Sequence, residues 1–77
     1  MPQDDPATLT AELRQQIAAA IDAAGFSQRD LKVATGIAQS SISRALTGAA
    51  DPSLSTVVRL LSAAGCRLRV ERVGDGP

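Results

Sequence analysis

The sequence predicts a mainly α-helical fold, a small bundle of four helices followed by one carboxy-terminal β-strand. Three observations predict it. Apolar residues recur at helical spacing in four successive stretches, and each stretch closes on a glycine, at Gly25, Gly36, Gly48 and Gly65. Serines stand in N-cap position before two of these stretches, at Ser27 and Ser53. Only Cys66 to Val73 shows the alternation of period two that a strand requires.

The 77 residues make one domain, near the size at which folding buries only about 60% of the unfolded chain's surface. Residues 1–7, with two prolines and two aspartates, are expected to form a disordered tail. The four helices should lie within residues 8–65. The first is expected from Thr8 or Thr10 to Ala24, with Leu9, Leu13, Ile17, Ala20, Ile21 and Ala24 on one face. Glu12, Arg14, Gln15, Gln16 and Asp22 fall on the other faces, an ordinary amphipathic pattern that suits a scaffold helix.

Ser27 opens the second helix, and Asp30 sits three residues on, where its carboxylate can reach back to the Ser27 amide as a capping box. Phe26 and Leu31 have the spacing of a hydrophobic staple. Gly36 ends this helix in a conformation that a side chain would disfavour. Ile37 is the apolar residue of the turn, and a third helix is expected from Ala38 to Leu46. At about 100° per residue, Ala38, Ile42, Ala45 and Leu46 gather on one of its faces. Ser40, Arg44 and Thr47 point the other way, flanked by Gln39 and Ser43. A short polar face of Gln, Ser and Arg suits base edges, since Gln can pair bidentately with adenine and Arg with guanine.

These residues carry a resemblance. Ser27-Gln28, Ala34 inside the helix, Gly36-Ile37, Ser41-Ile42-Ser43-Arg44 and Gly48 resemble the helix-turn-helix of the lambda-repressor/Cro family, also called XRE. The resemblance implies binding to double-stranded DNA with the second motif helix in the major groove, where Gln39, Ser40, Ser43 and Arg44 read bases. It also implies that Gln28, Arg29, Thr47, Gly48 and Ser53 hold the DNA backbone, with Lys32 adding charge nearby. Ala38 departs from the pattern, because the family usually places Ser or Thr at that cap. A lost cap costs about 0.5–2 kcal/mol but alters no base-reading position.

A fourth helix is expected from Ser53 to Ala64, with Leu54, Val57, Leu60, Leu61 and Ala64 on its apolar face. The strand over 66–73 then places Cys66, Leu68 and Val70 on one side and Arg67, Arg69 and Glu71 on the other. A lone strand leaves its amides and carbonyls unpaired, so it needs a partner from outside the chain. The simplest is its own copy across a two-fold axis, which makes Cys66, Leu68, Val70 and Val73 dimerisation residues of a homodimer. Residues 74–77 are expected to be a second disordered tail.

Composition narrows the function classes. Phe26 is the single aromatic residue, so the stacking platforms of single-strand and RNA binders are missing. Net charge is zero, but unevenly spread. Residues 1–26 set Arg14 against Asp4, Asp5, Glu12 and Asp22, whereas residues 27–73 set seven basic side chains against Asp30, Asp51 and Glu71. Without histidine and with Cys66 alone, no metal, nucleophile-base or acid-base set can be assembled, and no cofactor or enzymatic activity is expected. No signal peptide, membrane span or intrachain disulfide is expected, and a cytoplasmic location follows.

The expected function is a dimeric, sequence-specific repressor of transcription bound to an inverted-repeat operator. Resemblance to small antitoxins implies a cognate toxin as a further partner and autoregulation of a shared operon. A phage or mobile-element repressor is one alternative. The other is a protein-interaction module of the same fold without DNA binding, for which zero net charge is the argument.

Overall fold

The computed structural model of the protein describes residues 5–72. Four helices follow one another: α1 (Pro6–Ala23), α2 (Gln28–Thr35), α3 (Gln39–Thr47) and α4 (Leu54–Ala63). Helix α2 packs on α3 and α4, and α1 packs on α3.

Helix α1 starts inside the segment 1–7 that was expected to be a tail. Pro6 occupies its first turn, where a missing amide is no loss and the ring presets a helical φ. Asp5 precedes it without a side-chain cap, and its carboxylate accepts from the Thr8 hydroxyl at 3.3 Å. Residues 1–4 of that expected tail lie outside the described residues, as do Val73 and the expected tail at 74–77.

The capping box of α2 is present. Ser27 Oγ accepts from the Asp30 amide at 3.1 Å, and Asp30 Oδ2 accepts from the Ser27 amide at 2.9 Å. The Ser27 amide bonded to its carboxylate, and after it the Ser27 hydroxyl, hold the Asp30 carboxyl below the usual aspartate range. Gly36 closes the helix at φ +78°, and Gly48 closes α3 at φ +93°. Both are left-handed positions that disfavour any residue with a Cβ. Ala38 stands at the α3 N-cap without a side-chain bond, as its residue type dictates, and α3 runs on to Thr47, one residue past the expected end.

The core is thin and entirely apolar. Ile21, Leu31, Ile42, Ala45, Leu60, Leu61 and Ala64 are buried, with Leu31 and Ile42 at 0% exposure. Ile17, Phe26, Ile37, Leu46, Val57, Cys66 and Leu68 pack around them. Burying an aliphatic side chain of this size stabilises by about 1.5–3 kcal/mol. Along α1 burial grows toward the carboxy end: Leu9 and Leu13 are exposed, Ile17 is half-buried and Ile21 is buried. Leu54, expected on the apolar face of α4, lies in its first turn and is 69% exposed.

The expected strand over 66–73 does not form over its described part, Cys66 to Arg72. Among the described residues there is no strand at all, and Cys66 to Arg72 belong to no helix either. The physical reason is the one already given: no second strand exists among the described residues to complete a ladder. The alternation nonetheless shows in the packing. Cys66 and Leu68, assigned to a dimer contact, lie against the monomer's own core, while Val70 is 94% exposed.

Replacing Ser27 with Ala should lower stability by about 1 kcal/mol in urea unfolding and return the Asp30 carboxyl only part of the way toward its ordinary value, because Ala keeps the backbone amide that is the main cause. Because the folded pKa is lowered, the contribution of Asp30 is complete above the unfolded aspartate value. It disappears as pH falls through the folded one. NMR titration of Asp30 and urea unfolding of both proteins check this; unchanged stability, or a wild-type Asp30 that titrates in the ordinary aspartate range, would contradict the capping-box account.

Candidate nucleic-acid interface

The orientation of α3 follows from what it buries. Ile42 and Ala45 face the core, and Leu46 is half-buried beside them. With 3.6 residues per turn, the opposite face must present Ser40, Arg44 and Thr47, and all three are exposed. Gln39 is exposed at the start of the helix, and Ser43 is half-buried at the edge of the polar face. The four side chains expected to read bases therefore lie on one helix of nine residues. Arg44 has no hydrogen-bond or ion-pair partner for its guanidinium among the described residues.

The five residues expected at the DNA backbone lie around this helix on three elements. Gln28 and Arg29 form the first turn of α2, with Gln28 half-buried and Arg29 exposed. Thr47 ends α3, its hydroxyl 3.5 Å from the Arg44 carbonyl, and Gly48 follows it. Ser53 caps α4: its Oγ accepts from the Thr56 amide at 3.1 Å and lies 2.9 Å from Thr56 Oγ1 and 3.2 Å from Ser55 Oγ. Its hydroxyl is thus already engaged in the helix start. Lys32 is exposed on α2, and so is Ala34, which sits in the helix but not in the core.

The turn between α2 and α3 is fixed by side chains that sequence reasoning passed over. Thr35 Oγ1 donates to the Leu31 carbonyl at 2.7 Å and accepts from the Ile37 amide at 3.1 Å, tying the last turn of α2 to the entry of α3. From α4, Arg59 Nη2 donates to the Thr35 carbonyl at 2.6 Å. That carbonyl is one of the four left without a partner at a helix end, where a cation is also favoured by the helix dipole. Thr35 could have been singled out by its place just before Gly36. Arg59 could not, since its partner is 24 residues away.

A family model described as helix-turn-helix matches residues 17–70, which is more than two thirds of the chain. The chain belongs to the helix-turn-helix proteins of the lambda-repressor/Cro (XRE) type. No curated protein and no solved structure matches this helix-turn-helix protein. Its family is one of regulatory DNA-binding domains, not of enzymes, and the protein is a DNA-binding regulator of transcription. The match begins within α1 and ends at Val70, so the helix-turn-helix pair α2–α3 lies wholly inside it. No helix among the described residues is long and apolar enough to cross a membrane.

Thr35→Val removes both hydroxyl bonds at nearly constant volume. It should lower the unfolding free energy by about 1–2 kcal/mol and speed hydrogen exchange at the Ile37 amide. Unchanged stability with unchanged exchange would show that the turn does not depend on Thr35.

Proposed function

We propose that this protein is a dimeric repressor that recognises an inverted-repeat operator through the outer face of α3. One observation carries the reading: burial of Ile42 and Ala45 leaves Gln39, Ser40 and Arg44 together on an exposed face of the second motif helix. Gln39, Ser40, Ser43 and Arg44 read base edges, with Arg44 suited to the paired acceptors of guanine and Gln39 to adenine. Gln28, Arg29, Thr47, Gly48 and Ser53 anchor the backbone, the last through the start of α4, whose free amides favour a phosphate.

Two copies are needed to read an inverted repeat, with their α3 helices about 34–36 Å apart on successive major grooves. The dimer reading is supported by Cys66 to Arg72, which has alternating chemistry and no strand partner among the described residues. Apolar surface supports it too: Leu13 and Leu54 border an apolar cleft of about 270 Å³ between α1 and α4, and Val70 is almost fully exposed. In an antiparallel pair, Cys66 and Leu68 keep their places on the core of their own copy. Val70 meets the other copy. Resemblance to small antitoxins extends the reading to a cytoplasmic toxin partner encoded beside this gene.

Selecting bound sites from random duplexes should recover an inverted repeat. A sequence-independent result would instead favour the interaction module that zero net charge suggests. Against the selected site, Arg44→Ala should cost about 1–3 kcal/mol and relax preference at one position of each half-site. Arg29→Ala should weaken all sequences alike and reduce the salt slope by about one. Wild-type affinity and slope in both variants would refute the assignment of these faces. Sedimentation equilibrium of wild type and Val70→Asp should show a dimer and a monomer respectively; two monomers would refute the strand pairing.

A further inference from the structure

Arg14 stands on the scaffold helix α1, yet only 20% of its side chain is exposed. Its Nη2 lies 3.1 Å from Asp51 Oδ1, across 37 residues of sequence. Its guanidinium also covers Gly48: a Cβ on that glycine would lie 3.1 Å from Nη1. Gly48 is the residue that ends α3, and Asp51 comes two before Ser53, the cap of α4. One side chain from α1 therefore touches both ends of the loop that joins the two helices.

The loop itself folds back on α3. The amides of Gly48 and Ala50 both donate to the Arg44 carbonyl at 3.1 Å. A cation at this carboxy end of α3 is favoured by the helix dipole. Between Asp51 and Ser53, Pro52 restricts φ, so the position of Asp51 passes to the start of α4 with little slack.

We infer that Arg14 is a positioning residue for operator recognition: it fixes the start of α4 relative to the base-reading face of α3. The inference rests on the proposed roles of α3 and Ser53. Arg14 neutralises no phosphate and reads no base in this arrangement, since its guanidinium is engaged by Asp51 and Gly48. Its effect is on whether base and phosphate contacts can be made together.

The test compares affinity for the selected operator with affinity for a scrambled duplex of equal length, at several salt concentrations. Arg14→Ala should lower the operator-to-scrambled ratio on the order of tenfold, the scale of one lost coupling between two sites. Its salt slope should stay that of the wild type. Arg14→Lys keeps the charge but not the fork and should restore part of the ratio. A smaller folded fraction scales both affinities alike and leaves their ratio unmoved, so the readout is separate from stability. Asp51→Asn provides a second route through an exposed residue. Removing a carboxylate beside a polyanion should by itself strengthen binding to every duplex, whereas loss of the clamp lowers the ratio. Variants that keep the wild-type ratio while the wild type still selects its operator would overturn the inference alone. A salt slope reduced by about one in Arg14→Ala would make Arg14 a phosphate ligand and overturn it as well. A wild type with no preference would overturn the reading of α3, and this inference with it.

Discussion

The complete burial of Leu31 and Ile42 in one apolar core is the constraint from which the rest of the structure follows. Ile42 lies in the middle of a nine-residue helix, so removing it from water sets the rotation of α3 about its axis. Leu31 does the same for α2 from the first turn after the capping box. Once both rotations are set, the polar residues of α3 have one direction left, outward. The proposed DNA-facing surface is in this sense the complement of the core.

A core of so few aliphatic residues cannot hold two short helices at a fixed angle by packing alone. Polar bonds at the helix ends add what the core lacks. Thr35 joins the end of α2 to the turn, and Arg59 joins the same end to α4. Arg14 and Asp51 do the equivalent at the far end of α3. Arg14 and Arg59 reach the ends of the two motif helices, α3 and α2 respectively, where orphan carbonyls and the negative pole of the dipole favour a cation. Two cations of a nominally neutral chain are thereby engaged by the chain's own groups, while Arg29, Lys32 and Arg44 stay exposed on the motif.

Much of this was legible from residue order because the determinants are local. Capping needs Ser27 and Asp30 three apart, and helix termination needs Gly36 and Gly48. The polar face of α3 needs only the period of Ile42, Ala45 and Leu46. The start of the first helix is not legible in this way, because a proline suits a disordered tail and a first helical turn equally, and Pro6 serves as a helix start. Leu9, Leu13 and Leu54 were counted as core by periodicity, which fixes a face but not whether anything packs over it. The alternation of 66–73 was read as a strand, and within one chain the same pattern lays Cys66 and Leu68 on the helices without a ladder.

The sequence by itself determined where α2 begins and ends and which residues of α3 share a face, because capping, glycine conformation and helical period act over a few residues. Only the tertiary structure decided that Arg14 meets Asp51 and that Arg59 meets Thr35. Those pairs span 37 and 24 residues, and such contacts exist only after packing has brought separate helices together.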